Sequence, residues 1–298
     1  MRWYVKLGME IGLGIALACL VCGGQAVFMD QWRLANRRAD VAGAAAAVEL
    51  QKATAPNGET RLVKTVDGVE YAFRWCPPGE FKMGSPWLEA YRQPDETRHH
   101  VTLTKGFWML ETEVTQAMWQ SVMGESISDK RNQVNPEKSL EGEGSDYPMY
   151  YVSWNDCQEF CRKLSKKIGM KIALPTEAQW EYACRAGTVS ARAGSIAEMG
   201  WYDSNSDDEA HPVGQKQPNA WGLYDMLGNV DEWCQDWLGD YPRGSVTDPM
   251  GPASGSFRVT RGGGWFYYSK DCRSAARYRE AEDDRICFLG FRVVGLDE

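Results

Sequence analysis

The stretch Pro218–Trp237, PNAWGLYDMLGNVDEWCQDW, gathers side chains that could do chemistry: Trp221, Trp233 and Trp237, with carboxylates at Asp225, Asp231, Glu232 and Asp236. Gly222 and Gly228 punctuate it, and glycine stands where a backbone must take positive φ or pack closely. The mixture suits neither an amphipathic helix nor an alternating strand. It predicts a loop-rich core of large rings, with backbone carbonyls turned toward something polar. A dehydrated cation or a network of buried hydrogen bonds would serve; a packed aromatic loop without ligand is the plain alternative.

The second stretch is Gly262–Arg277, which carries Trp265, Tyr267, Tyr268, Cys272, Arg273 and Arg277. Arg273 and Arg277 are four apart; they could pair with Asp225, Asp231 or Asp236, or face an anion across a cleft. No nucleotide-binding fingerprint follows Gly262–Gly264, so packing under Trp265 explains those glycines better. The adjacent His99 and His100 sit beside Arg98 and read as surface; His211 before Pro212 reads as loop. With only 3 His, no multi-histidine metal centre can be built within the chain. The acidic run Asp203–Glu209 begins like a calcium loop but fails at Asp208 and Gly214, and reads as a solvated loop.

Of the 9 Cys, Cys19 and Cys22 lie in an N-terminal apolar run. Seven remain, an odd number, so at least one is unpaired within the chain. Cys157 and Cys161 fall on one face of a predicted helix with no matching second pair, which argues against structural zinc. The net charge of −8 and the lack of a basic stripe argue against a nucleic-acid partner.

These residues must be positioned by a chain of 298 residues, enough for one large domain or two small ones. Arg2 and Lys6 precede the apolar run Ile11–Phe28, so residues 1–28 read as a signal peptide or a membrane anchor, the anchor occupying residues 7–28. Both readings place the protein in the exported class, periplasmic or extracellular, where disulfides persist. Residues 29–59 read as a helical stalk built on the alanine run Ala44–Ala47, and residues 60–298 as the domain.

Within the domain, Asp67–Gly68 predicts a hairpin between Leu62–Val66 and Val69–Trp75. Phe81–Met83, Val101–Thr104, Phe107–Leu110, Arg258–Arg261 and Phe291–Val294 read as strands. Helices are predicted over Glu113–Met123, capped by Thr115, over Trp154–Lys166, capped by Ser153, and over Pro175–Ala186, where Thr176 and Gln179 form a capping box. Ser126–Asp146 reads as a long surface loop. The class is α+β, loop-rich, with few helices and short antiparallel strands.

In order along the chain stand Phe81-Lys-Met-Gly-Ser85, Glu113-Val-Thr115, Val152-Ser-Trp-Asn-Asp156, Leu174-Pro-Thr-Glu-Ala-Gln-Trp-Glu-Tyr182, Gly222-Leu-Tyr224, Gly228–Trp233, Arg261-Gly-Gly263 and Leu289-Gly-Phe-Arg292. Together these blocks resemble the formylglycine-generating enzyme, or sulfatase-modifying factor, family over residues 70–295. The resemblance implies a variant of the C-type-lectin-like fold. It also implies an oxidase that converts a sulfatase cysteine to formylglycine with molecular oxygen, using Cu(I) held by two thiolates.

Those thiolates would lie between the family's Arg-Gly-Gly-Ser motif and a later Cys-Ala-Ala-Arg motif. Here no cysteine precedes Cys272 in that interval, Gly264 replaces the serine, and Tyr267 and Tyr268 stand where thiols would be needed. A phenol lacks the softness and acidity to hold Cu(I), so copper chemistry is expected to be absent and no catalytic residue is assigned. The resemblance implies a disulfide between Cys184 and Cys272. It also implies a calcium ion on the carbonyls of Leu227, Gly228 and Val230 and the carboxylate of Glu232. The expected role is a divergent binding or accessory module. Ser126–Asp146 and Trp265–Asp271 would recognise a peptide, protein or carbohydrate, with Trp265, Tyr267, Tyr268, Arg273 and Arg277 lining the cleft. The alternative is an oxidoreductase that acts on a sulfatase cysteine or another substrate by different chemistry.

Overall fold

Asp67 and Gly68 both take positive φ, 50° and 85°, and turn Arg61–Val66 (β1) back on Val69–Cys76 (β2) with Val66 opposite Val69. This is the backbone a two-residue hairpin turn demands. The computed structural model describes residues 55–296. The expected signal or anchor segment, and all but the end of the expected stalk, lie outside the described residues.

The chain continues through Gly79–Met83 (β3), His99–Leu103 (β4) and Phe107–Leu110 (β5) into the helix Gln116–Met123 (α1). Thr115 accepts the Met118 amide and holds the N-terminus of α1, so Glu113 and Val114 lie before the helix instead of inside it. The expected surface loop after Ser126 contains a helix, Ile127–Val134 (α2), closed by a reciprocal Ser126–Asp129 capping box. Only Ile127 and Lys130 of α2 are buried, which is why no apolar stripe announced it. Trp154–Ile168 (α3) is capped by Ser153 and ends at Gly169; Glu177–Arg185 (α4) is capped by Thr176. Lys171–Ala173 (β6) lies between α3 and α4, and a single turn, Ile196–Met199 (α5), follows.

Asp231–Trp237 is a strand (β7), against the expectation of irregular chain. It is buried almost throughout, so its carboxylates need internal partners instead of an alternating wet face. The remaining strands are Val246–Thr247 (β8), Arg258–Arg261 (β9), Tyr278–Glu280 (β10), Leu289–Gly290 (β11) and Val294–Leu296 (β12). Three sheets result, in the orders β1-β2-β5-β12-β6, β10-β9-β7-β11 and β3-β4-β8. The first is antiparallel throughout; β11 joins β7, and β8 joins β4, in parallel.

One core packs α1 and α3 against the first sheet, with Trp119 stacked on Phe160 and both edge-on to Phe291. The other gathers Trp180 and Tyr182 of α4 with Trp221, Leu223 and Met226 from the aromatic stretch. No helix among the described residues is long and apolar enough to cross a membrane.

Gly68 and Gly228 share a φ of +85° but differ in surroundings: the first has open space, while a Cβ on the second would collide with the Trp201 carbonyl. Gly68→Ala should therefore cost about 1–2 kcal/mol, the left-handed penalty alone. Gly228→Ala should cost more than about 3 kcal/mol, because backbone must also move. Urea unfolding midpoints of the two variants measure the difference; equal losses would remove the packing argument.

Candidate functional site

The Gly262–Arg277 segment leaves β9 and folds onto the Gly228–Asp231 stretch through two backbone–backbone bonds and one backbone-to-carboxylate bond. Gly228 N donates to Gly262 O (3.1 Å), Trp265 N to Asn229 O (2.7 Å), and Gly263 N to the Asp231 carboxylate (3.2 Å). Gly262 and Gly263 make this approach with φ of 105° and 75°. Gly263 also faces the Cys272 sulfur, which would lie 3.0 Å from any Cβ placed there.

Asp231 is the carboxylate at the base of this fold. It is buried, accepts the Thr260 hydroxyl at 2.5 Å, and burial pushes its acid up to about 7. Tyr267 packs above it, against Tyr278 (4.8 Å), Phe266 (4.6 Å) and Phe288 (5.9 Å). Burial, and then the Asp231 charge, raise both the Tyr267 and Tyr278 phenols, so they stay protonated. Tyr268 points the other way and is 61% exposed. Trp265 is half-buried against Phe266.

Cys272 is fully buried, and burial pushes its thiol up to about 12. Such a sulfur is a protonated core atom, not a thiolate ligand. Cys287 packs against the other hydrophobic core, beside Tyr151. Cys234 lies on β7 three residues beyond Asp231, hence on the opposite side of the strand from it. Among the described residues no group of three or more His, Cys, Asp or Glu is arranged to hold a metal. One protonated thiol does not fit Cu(I). Cys184 and Cys272 are separate thiols here; Cys184 contacts the hydroxyl of Ser274, two residues past Cys272, at 3.5 Å.

The arginines expected at the cleft are spent on structure, and with partners other than those the sequence suggested. Arg273 grips Glu96 through two nitrogens (2.6 and 2.9 Å), reaches Glu89 at 2.8 Å, and donates to the Tyr91 carbonyl. Arg277 forks onto Glu177 (2.6 and 2.9 Å) and onto the Gly239 carbonyl. Neither touches Asp225, Asp231 or Asp236. Arg273 thereby fixes the segment 85–97, whose Trp87, Leu88 and Tyr91 are 82%, 91% and 62% exposed. These three were missed by sequence reasoning. The available signal was large apolar residues in a short polar segment bounded by Pro86 and Pro94. Lys270 lies over both the Tyr91 and Tyr268 rings and joins this segment to the Trp265–Asp271 loop.

Glu232 is also committed. Arg292 holds both its oxygens (2.7 Å each), and Trp180 Nε1 donates to one of them at 2.8 Å. All three side chains are fully buried. The set Leu227, Gly228, Val230 and Glu232 therefore does not fit a calcium ion as arranged: its one charged ligand is bound to a guanidinium. Two further buried carboxylates lie nearby. Neither oxygen of Glu113 meets a donor, and Asp225 spends one oxygen on the Gly214 amide and leaves the other unpartnered. Burial and the neighbouring Asp225 push Glu113 well above the usual carboxylate range; burial holds Asp225 at about 6.

A family model described as a sulfatase-modifying factor enzyme 1-like domain matches residues 65–295. Over a 277-residue alignment the chain is 30% identical to the formylglycine-generating enzyme of Streptomyces coelicolor, covering 72% of this chain and 86% of that one. Among solved structures, Treponema denticola variable protein 1 superposes with a TM-score of 0.70 at 30% identity, covering 80% of this chain and 99% of that one. PvdO from Pseudomonas aeruginosa gives 0.69 at 28% identity, covering 79% and 98%. The fold is thus the C-type-lectin-like α+β variant that the motif order implies.

Glu113 generates a stability signature. Its acid is raised in the folded state, so above the unfolded value of about 4.3 the native protein holds a proton that the unfolded chain has released. Stability is lost as pH climbs from there. Glu113→Gln removes the titration and should stabilise by about 1–3 kcal/mol near pH 8, the gain fading toward about pH 4. Thermal unfolding across that range checks it; a destabilised variant at the alkaline end would contradict it.

Proposed function

The chain belongs to the sulfatase-modifying factor family, and we propose that within it the protein is a divergent, exported binding or accessory module that does not carry out the copper-dependent oxidation. One observation carries the reading. The segment Gly262–Arg277 contains a single sulfur, that of Cys272, and it is a buried protonated thiol packed against Gly263. Cu(I) bound in a two-thiolate site needs a second soft donor there, and Tyr267 and Tyr268 do not supply one.

The binding role rests on what the same segment presents outward. Tyr268, Phe266, Tyr91 and Trp87 stand exposed on two adjacent loops, bridged by Lys270 and tied down by the Arg273–Glu96 fork. Exposed rings on a loop fixed by buried ion pairs lose little conformational freedom on binding. Such a shelf suits a peptide, protein or carbohydrate ligand. It is built from the 85–92 and 265–271 segments; α2, within the other expected recognition loop, presents mostly polar side chains. The two cysteines Cys184 and Cys272 are separate thiols in this structure; in an oxidising compartment the reading adds a Cys184–Cys272 disulfide, which would leave neither sulfur free as a thiolate for Cu(I). Alkylation of denatured, exported protein before and after reduction should reveal two additional thiols, and an unchanged count would remove that part.

The test of the oxidase claim is direct. The full chain, supplied with copper and oxygen, should leave a cysteine-containing sulfatase peptide unconverted by mass spectrometry, as in a protein-free control. Conversion to formylglycine above the control, lost in Cys272→Ser, would overturn the reading. On a glycan and peptide array, Trp87→Ala combined with Tyr268→Ala should lower binding by roughly tenfold or more with the unfolding midpoint unchanged. Undiminished binding would place recognition elsewhere.

A further inference from the structure

On the other side of Arg277 lies a cavity of about 490 Å³, walled by β4, the N-terminus of α4, the end of β7 and the loop 239–252. This volume is in the usual range for small-molecule sites. Two buried polar side chains line it with an atom that no protein group satisfies. Asp236 is 4% exposed; one carboxylate oxygen accepts the Glu177 amide at 2.9 Å, and the other has no protein partner. His99 is 6% exposed, and its Nδ1 lies 2.9 Å from the Thr97 carbonyl. A carbonyl only accepts, so Nδ1 carries a hydrogen, and in the neutral ring Nε2 is then an acceptor.

We propose that this cavity binds a small organic ammonium compound with an apolar body, its charged head on Asp236 and His99 Nε2. The cationic side chains around the cavity direct their hydrogen bonds elsewhere, with the Nε of Arg258 and of Arg261 left without a hydrogen-bond partner. Arg277 is held by Glu177 and Gly239, and Arg261 by Glu181 and the carbonyls of Ser274 and Ala276. Arg258 lies between the Trp154 and Trp237 rings and bonds Gln235 and Glu282. None of the three makes an ion pair with Asp236, although the Arg277 and Arg261 charges act on it from nearby; both free atoms are acceptors, which calls for a ligand rich in donors. Tyr241 has its hydroxyl on Glu177 and presents a ring instead. Met83, Val246, Pro249 and Met250 supply the apolar lining. Asp240 at the mouth is exposed, and with a net charge of −8 the chain repels anions. Burial and the nearby Glu177 hold the Asp236 acid at about 7, which a bound cation would relieve.

The 3 His make His99 a reporter. The full chain is titrated near pH 8 with 2-phenylethylamine, 2-phenylethanol and phenylacetate, followed by saturation-transfer NMR and by the imidazole resonances. The resonance lost in His99→Gln identifies the reporter. The amine should bind and shift it while the alcohol and the acid do not. Asp236→Asn should weaken the amine roughly tenfold or more, the loss expected when a buried charge partner is removed. Should Asp236→Asn unfold, Val246→Phe, which narrows the cavity from its apolar wall, must reduce the shift. Equal binding of the alcohol or acid, an amine that leaves the His99 resonance unmoved, or affinity unchanged in these variants would overturn the assignment.

Discussion

The buried fork between Arg292 and Glu232 ties together the first two sheets, α4 and the aromatic stretch. Arg292 precedes β12 of the first sheet, Glu232 lies on β7 of the second, and Trp180 on α4 donates to the same carboxylate. The guanidinium also bonds the Tyr224 and Asp225 carbonyls, at 3.0 and 3.3 Å, and so holds the aromatic stretch in place. Breaking such a pair by removing one partner costs about 3–5 kcal/mol, since the survivor is left charged in a dry interior. The constraint works in both directions. It lets a stretch dense in carboxylates form a buried strand, and it takes from Glu232 the freedom to serve a metal.

The same logic repeats around the segment after β9. Arg261 pairs with Glu181 and Glu177, Arg273 with Glu96 and Glu89, and Arg277 with Glu177. Each joins segments far apart in the chain, so the loops of this fold are held by charge as much as by rings. The consequence is a set of loops tied together from inside by buried ion pairs. Where copper chemistry would require paired sulfur, the segment after β9 holds a buried thiol and a protonated tyrosine, beside an Asp231 whose acid burial pushes up to about 7. What remains exposed is aromatic surface fixed from below, an arrangement suited to recognition.

Much of this was legible in residue order. Asp67–Gly68 specified the first hairpin, Ser153 and Thr176 the starts of two helices, and the run of family motifs the fold. The failures have local causes. α2 buries only Ile127 and Lys130, so its sole signal was the Ser126–Asp129 cap. The β7 carboxylates looked unfit for a strand because their partners, Arg292 and Thr260, lie far along the chain. Arg273 and Arg277 were matched to the wrong acids for the same reason: spacing cannot rank partners that only the fold brings together. His99 was recoverable, since strand alternation places it inward with Val101 and Leu103 and turns His100 outward.

The account stands or falls on sulfur in the segment between Gly264 and Cys272. A crystal of the full chain equilibrated with Cu(I) and measured at the copper absorption edge addresses this without reference to any substrate. The account predicts no anomalous peak in that segment. A copper ion bonded to Cys272 and to a second sulfur would contradict it.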